Sequence, residues 1–202
     1  MLDSSAAMVR LRLVIAVCAA AFATSACGGA LFGSVPSPTP VTADSVRAAV
    51  DKSTMKNAHF RVTGTINTSS GQHVSVSGDG VLQKSPASAI EMTLTVVGPQ
   101  GQTVVVQEIS VDGRDYSRVG SGKWTSTPES ATSPTVPDKY IGEENIAGTA
   151  TWHAQSSAAS KTYDIWVRES DGYIAYLQYT DPNSVLTMTF DSYNQSPAIT
   201  AP

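Results

Sequence analysis

The chain has 202 residues, 41% of them hydrophobic and only 15% charged, with a formal net charge of −4. A weakly acidic chain without any Lys/Arg cluster beyond its first residues lacks the positive surface that a phosphate backbone requires, which excludes nucleic acid as a partner. Less an export segment, the length is that of one domain able to bury a core without disulfide staples, and abundant Ser, Thr and Gly favour strands and turns over helices.

Residues 1–26 have the three parts of a signal peptide: Arg10 and Arg12 as the charged region, an apolar stretch over 13–22, and small residues over 23–26 before Cys27. The apolar run is too short for a comfortable bilayer span. Met8 is a second candidate start, because it places Arg10 near the N-terminus and leaves Asp3 outside. Thr24-Ser25-Ala26-Cys27, followed by Gly28-Gly29, resembles the bacterial lipobox, with Thr24 standing where a bulky aliphatic residue is usual. That resemblance implies cleavage just before Cys27 and a diacylglycerol on its thiol, with acyl chains of the palmitate kind. Cys18 falls in the removed segment and leaves Cys27 without a partner. At about 0.8 kcal/mol per buried methylene, two or three acyl chains exceed the one-chain threshold for stable anchoring. The expected location is the extracytoplasmic face of a cell membrane, toward periplasm or cell wall; secretion with a free thiol is the alternative.

Residues 27–41 read as the lipidated cysteine and a tether, with Pro36, Pro38 and Pro40 on alternate positions. Such spacing favours extended polyproline-like chain, a semi-rigid spacer on the order of 40 Å long. Residues 42–202 then form a single β-rich domain. Its one convincing helix runs from residue 42 to about 56, capped by Thr42 or Asp44, with Val46, Ala49 and Val50 at helical spacing.

After Asn57 the period switches to two. Phe60, Val62 and Ile66 alternate with polar residues, as do Val74 and Val76, then Ile90, Met92, Leu94 and Val96. Later strands fall near 102–111, 115–119, 149–155, 162–168, 174–180 and 185–191, separated by turn signals such as Asp112-Gly113, Gly120 to Gly122, Asp171-Gly172 and Asp181-Pro182-Asn183. Short connections make neighbours antiparallel, and about nine strands are too many for a flat sheet without curling. Residues 126–146, with Pro128, Pro134 and Pro137 and no alternation, read as a long loop suited to a lid.

The chain carries no G-x-S-x-G elbow, H-E-x-x-H, phosphate-loop motif or C-x-x-C. Gly120-Ser121-Gly122-Lys123 reads as a hairpin turn. His59, His73 and His153 stand far apart with no second ligand at metal spacing, and read as solvent-facing strand residues. Glu143-Glu144 reads as a solvated charged turn, since neighbours on a strand would point to opposite faces. No catalytic residue, metal or cofactor is expected. What remains is apolar surface: one helix about 10 Å wide covers about a third of such a sheet at about 4.8 Å per strand. Curling and the long loop, a partner, or a ligand must close the rest. The ligand-groove candidates are Phe60, Val62, Ile66, Ile90, Met92, Leu94 and Val96.

The order of landmarks resembles the mycobacterial LppX/LprG-type cell-wall lipoproteins, which share a curved half-barrel with the bacterial carrier LolA. The matching stretches are His59-Phe60-Arg61-Val62-Thr63-Gly64, Val111-Asp112-Gly113-Arg114-Asp115-Tyr116 leading to Lys123-Trp124-Thr125, and Tyr140-Ile141-Gly142-Glu143-Glu144-Asn145-Ile146-Ala147-Gly148-Thr149. Asp164-Ile165-Trp166-Val167 with Asp171-Gly172, and the ending Ser196-Pro197-Ala198-Ile199-Thr200-Ala201-Pro202, complete the correspondence. The resemblance implies a mainly β half-barrel with one or two helices, the N-terminal helix lying on the concave face. It also implies a lipid or glycolipid held on that face, possible transfer through the envelope, and no enzymatic role. Helical regions usual in the family are replaced here by the Pro-rich loop and by the short stretch 156–161, so an open groove is expected rather than a deep cavity. The competing reading is an interaction lipoprotein that docks an envelope protein or assists a transporter or sensor.

Overall fold

A computed structural model describes residues 40–68, 71–129, 137–158 and 160–202. The signal segment, Cys27, the tether up to residue 39 and the centre of the Pro-rich stretch lie outside the described residues.

Helix α1 spans Ala43–Lys52. Thr42 caps it: its hydroxyl accepts from the Ser45 backbone N–H while the Ser45 hydroxyl oxygen accepts from the Thr42 N–H, a capping box built with serine in place of glutamate. The helix stops four residues earlier than the sequence predicts. Ser53 is extended, and both its N–H and its hydroxyl turn back to the Val50 carbonyl.

The strands among the described residues form one antiparallel sheet of eleven. In chain order these are β1 (Asn57–Asn67), β2 (His73–Gln83), β3 (Ala89–Val97), β4 (Thr103–Val111), β5 (Arg114–Val119), β6 (Thr125–Pro128), β7 (Lys139–Ile146), β8 (Thr149–Ala158), β9 (Lys161–Arg168), β10 (Ile174–Asp181) and β11 (Ser184–Asp191). Spatial order is β6-β5-β4-β3-β2-β1-β11-β10-β9-β8-β7. The chain enters at the middle strand, meanders to one edge, crosses to the opposite edge and meanders back to pair β11 with β1.

That connectivity forces curvature. Ten inter-strand spacings in a flat sheet of eleven strands would separate the edges by about 48 Å. The chain from Pro128 to Lys139 reaches at most about 40 Å even when fully extended. The edges must therefore approach each other, and the sheet is a half-barrel that remains unclosed, with no pairing between β6 and β7. Glycines on the inner face assist. Gly78 lies between Val62 and Leu94 across the strands, and a Cβ there would sit 2.1 Å from the Thr93 carbonyl oxygen.

Two strands were not legible in the sequence. The stretch expected to be a loop over 126–146 contains β6 and β7. All four residues of β6 are exposed, so no apolar alternation marks it, and Pro128 is tolerated because β6 is an edge. In β7 a register shift between Tyr140 and Gly142 breaks the period of two.

The main core occupies the concave face, where Val46 and Val50 of α1 join side chains of β1–β4 and β8–β11. A smaller cluster of Ala89, Ile109, Val111 and Ile199 lies on the convex face. The C-terminal segment closes it: Ile199 donates its N–H to Gln83, and Ser196 and Asn57 exchange two hydrogen bonds.

Candidate functional site

The seven groove candidates share one face. Phe60 and Met92 flank Gly80, Val62 and Leu94 flank Gly78, and Val96 pairs with Val76. Ile66 stands opposite Val74, and Ile90 opposite Leu82. Phe60 and Leu94 are 0% exposed; Val62, Ile66, Ile90 and Met92 are also buried, while Val96 is half-buried at the margin. Where the sequence leaves this face open, curling brings a second wall against it. Ile165, Val167, Leu177, Tyr179, Leu186, Met188 and Phe190 belong to the same cluster, and the Phe60 and Phe190 rings lie 5.6 Å apart. These residues alternate in their own strands, but which wall they form depends on the β1–β11 pairing.

Helix α1 roofs the face with small side chains, Ala43, Val46 and Val50. Lys84, just beyond β2, fixes its end by donating to the carbonyls of Val50 (2.6 Å), Asp51 (2.9 Å) and Ser53 (3.3 Å). Burial pushes the Lys84 amine below its ordinary value, opposed by the nearby Asp51. On the far side, the turn at Gly172 abuts the Ala49 carbonyl so closely that a Cβ would lie 2.4 Å from it. Between helix and sheet runs a cleft of about 20 Å³, lined by Val46, Val50, Pro137, Ile165 and Val167, with Arg47 contributing to its wall. That volume holds about one water. Arg47 is paired with Asp44 at 2.8 Å.

One of the three histidines, His153, departs from expectation. His73 is exposed. His59 is half-buried on the convex face, its Nδ1 3.0 Å from Asp191. Burial alone would raise the Asp191 carboxyl, but hydrogen bonds from Ser192 and His59, with Arg61 nearby, outweigh it and hold it low.

His153 is buried, not solvent-facing, and Glu144 is a strand residue that meets it, not part of a solvated turn. Nδ1 of His153 lies 2.7 Å from Glu144 Oε1 and Nε2 lies 2.8 Å from Asp164 Oδ1. The other Glu144 oxygen accepts the Trp166 indole N–H at 2.8 Å, and Asp164 accepts from Gln155 at 2.7 Å. The imidazole stacks on Trp166, centroids 4.1 Å apart, and Tyr176 meets that indole edge-on. The indole N–H, then His153, hold the Glu144 carboxyl below its ordinary value against the cost of burial. Glu143, as strand geometry requires, is on the other side of β7 from Glu144. Sequence reasoning missed this network because its three titratable members come from three strands.

No family model matches the sequence, and no curated protein matches it either. Solved structures do. The lipoprotein LppX of Mycobacterium tuberculosis is 13% identical, superposes with a TM-score of 0.50, and the match covers 78% of this chain and 99% of that one. LprF of Mycobacterium bovis is 12% identical with a TM-score of 0.45, over 79% of this chain and 93% of that one. At such identities the likeness is one of fold, and it meets the topology described above on its own terms: this chain has the LppX-type, LolA-like half-barrel fold, with its helix on the concave face.

Proposed function

We propose that this chain is a non-enzymatic lipoprotein, anchored through Cys27 on the extracytoplasmic face of the cell membrane, whose concave face binds a lipid or other hydrophobic ligand. The observation that carries the reading is the roof. Among the described residues, an apolar face spanning most of an eleven-stranded sheet is covered by one ten-residue helix whose buried residues are Ala43, Val46 and Val50. Lifting that helix exposes little surface, on the order of 4 kcal/mol at about 1.5 to 3 kcal/mol for each valine. The ligand enters at the apolar cleft, displaces α1 and comes to lie over Phe60, Val62, Ile66, Ile90, Met92, Leu94 and Val96. Carrying such a ligand across the cell envelope is the role this arrangement would serve.

A second reading, an interaction module whose concave face is plain core, is favoured by the complete burial of Phe60 and Leu94. One experiment separates the two. Protein purified without its anchor is extracted with organic solvent and the extract analysed by mass spectrometry, alongside titration with a fluorescent acyl probe. Stoichiometric lipid and saturable probe binding support the carrier; a clean extract and no saturable binding leave the module.

A further inference from the structure

We propose that Glu144, His153 and Asp164 form a proton-held clamp that fastens the edge strand β7 to the sheet. β7 needs one. Among the described residues it has a neighbour on one side only, its register shifts near Tyr140, and all of its residues are half-buried or exposed. Against this, a single imidazole ties β7 to β9 across β8, with Glu144 on the first, His153 on the middle strand and Asp164 on the third.

The chemistry of the contact fixes its proton content. A neutral imidazole offers one donor and one acceptor, while an ionised carboxylate only accepts. Both ring nitrogens of His153 face carboxylate oxygens, at 2.7 and 2.8 Å. The two contacts are both hydrogen bonds only if the trio keeps one more proton than a neutral imidazole beside two carboxylates. Its surroundings favour that. The Trp166 N–H favours the ionised form of Glu144, and Asp164 accepts a hydrogen bond from Gln155. The Thr151 hydroxyl binds the Glu144 carbonyl, fixing the backbone beneath the clamp. The other charged or titratable groups that share the convex face with His153 are Lys139, opposite Gln155; Arg168, opposite Thr151 and paired with Asp171; and Tyr176, against Trp166; Tyr140, Glu143, Lys161 and Tyr163 lie on the other side of their strands. Among the described residues, the imidazole nitrogens meet the two carboxylates and none of these other groups.

The sign follows. With the extra proton present, both bonds form and β7 is held. When rising pH passes that proton to water, a ring lone pair faces a carboxylate and one bond is lost. β7 then loosens, and with it Pro137, two residues before the strand, at the margin of the cleft under α1. This holds whether or not the cleft admits a ligand.

The test is on the unaltered protein. Imidazole ¹⁵N shifts of His153 and amide exchange, corrected for the intrinsic dependence on pH, are followed from about pH 5 to about pH 9, the span in which imidazoles titrate. Expected is an imidazole with both nitrogens protonated at the acid end. As it loses a proton, protection of the β7 amides paired to β8 should fall about tenfold, with β1 and β2 unchanged, as for loss of one charge-assisted hydrogen bond. His153→Gln, which cannot carry the proton, should show low β7 protection at every pH. A neutral ring throughout, or β7 protection that is flat with pH in the unaltered protein, overturns the proposal even if the variant does not fold.

Discussion

Leu94→Ala tests whether the concave face is filled. Leu94 is 0% exposed and sits between Gly78 and Val106 across the strands. Its Cδ2 lies 2.9 Å from where a Gly78 Cβ would be, so the leucine fills space the glycine leaves empty. Truncation opens a hole that the glycine cannot refill and that paired strands on either side cannot collapse into. Of the usual range of about 2 to 5 kcal/mol for Leu→Ala, the loss should fall at about 3 to 4. In a domain of this size that is roughly 6 to 16 °C of Tm. Equilibrium urea unfolding is the assay, with the slope unchanged and the midpoint lowered. A loss below about 1 kcal/mol at unchanged slope would refute the packed face and mean that Leu94 borders open space. Leu94→Trp adds the functional arm: under the carrier reading it blocks an acyl probe, and under the module reading there is no specific binding to block.

Gly78→Ala should cost about 1 to 3 kcal/mol by urea midpoint, because the new Cβ meets the Thr93 carbonyl oxygen at 2.1 Å and backbone must move. Lys84→Met should cost about 1 kcal/mol after solvent screening and raise amide exchange in the last turn of α1 more than in β1, since it removes the ammonium from three carbonyls. The Glu144 carboxyl, held below its ordinary 4.5 by the Trp166 N–H and then by His153, contributes stability that is present above that value and lost as pH falls through its lower folded-state value. Glu144→Gln should therefore flatten the acid limb of the stability curve measured from about pH 5 downward. Cys27→Ala should leave the domain folded and move it from the membrane fraction to the soluble one; persistent tight membrane association would sink the anchor.

Strands were legible wherever one face is buried and the other wet. β1, β3 and β11 have inner residues mostly buried and outer ones mostly half-buried or exposed, so the alternation in the sequence is the alternation in space. The helix was legible for the same reason, and its early stop was not, because Lys84, more than thirty residues away, helps to fix its end. β6 and β7 were illegible because edge strands need little burial and β7 is bulged. The smaller convex core was not legible either: Ile109 and Val111 lie on the convex side of β4, where the distant C-terminal Ile199 joins them.

The histidine network shows where such reading stops. On β8, His153 pairs in register with Trp166, so Asp164 is its diagonal neighbour, two positions along β9. Glu144 pairs with Thr151 and is diagonal on the other side. Three residues separated by nine and eleven positions thus converge only if the β7–β8 and β8–β9 registers are both right, and a one-residue slip in either would turn a carboxylate to the concave face. The same dependence applies to the apolar face. Alternation says that Leu94 and Leu186 each point to one side of their strands; that these sides are the same side, and that the two walls close on one another, follows from the crossing between the sheet's edges and from β11 returning to pair with β1. Whether a ligand parts those walls is then a question of how little α1 contributes, because the strands themselves are held by backbone ladders and the helix by two valines, an alanine and one lysine.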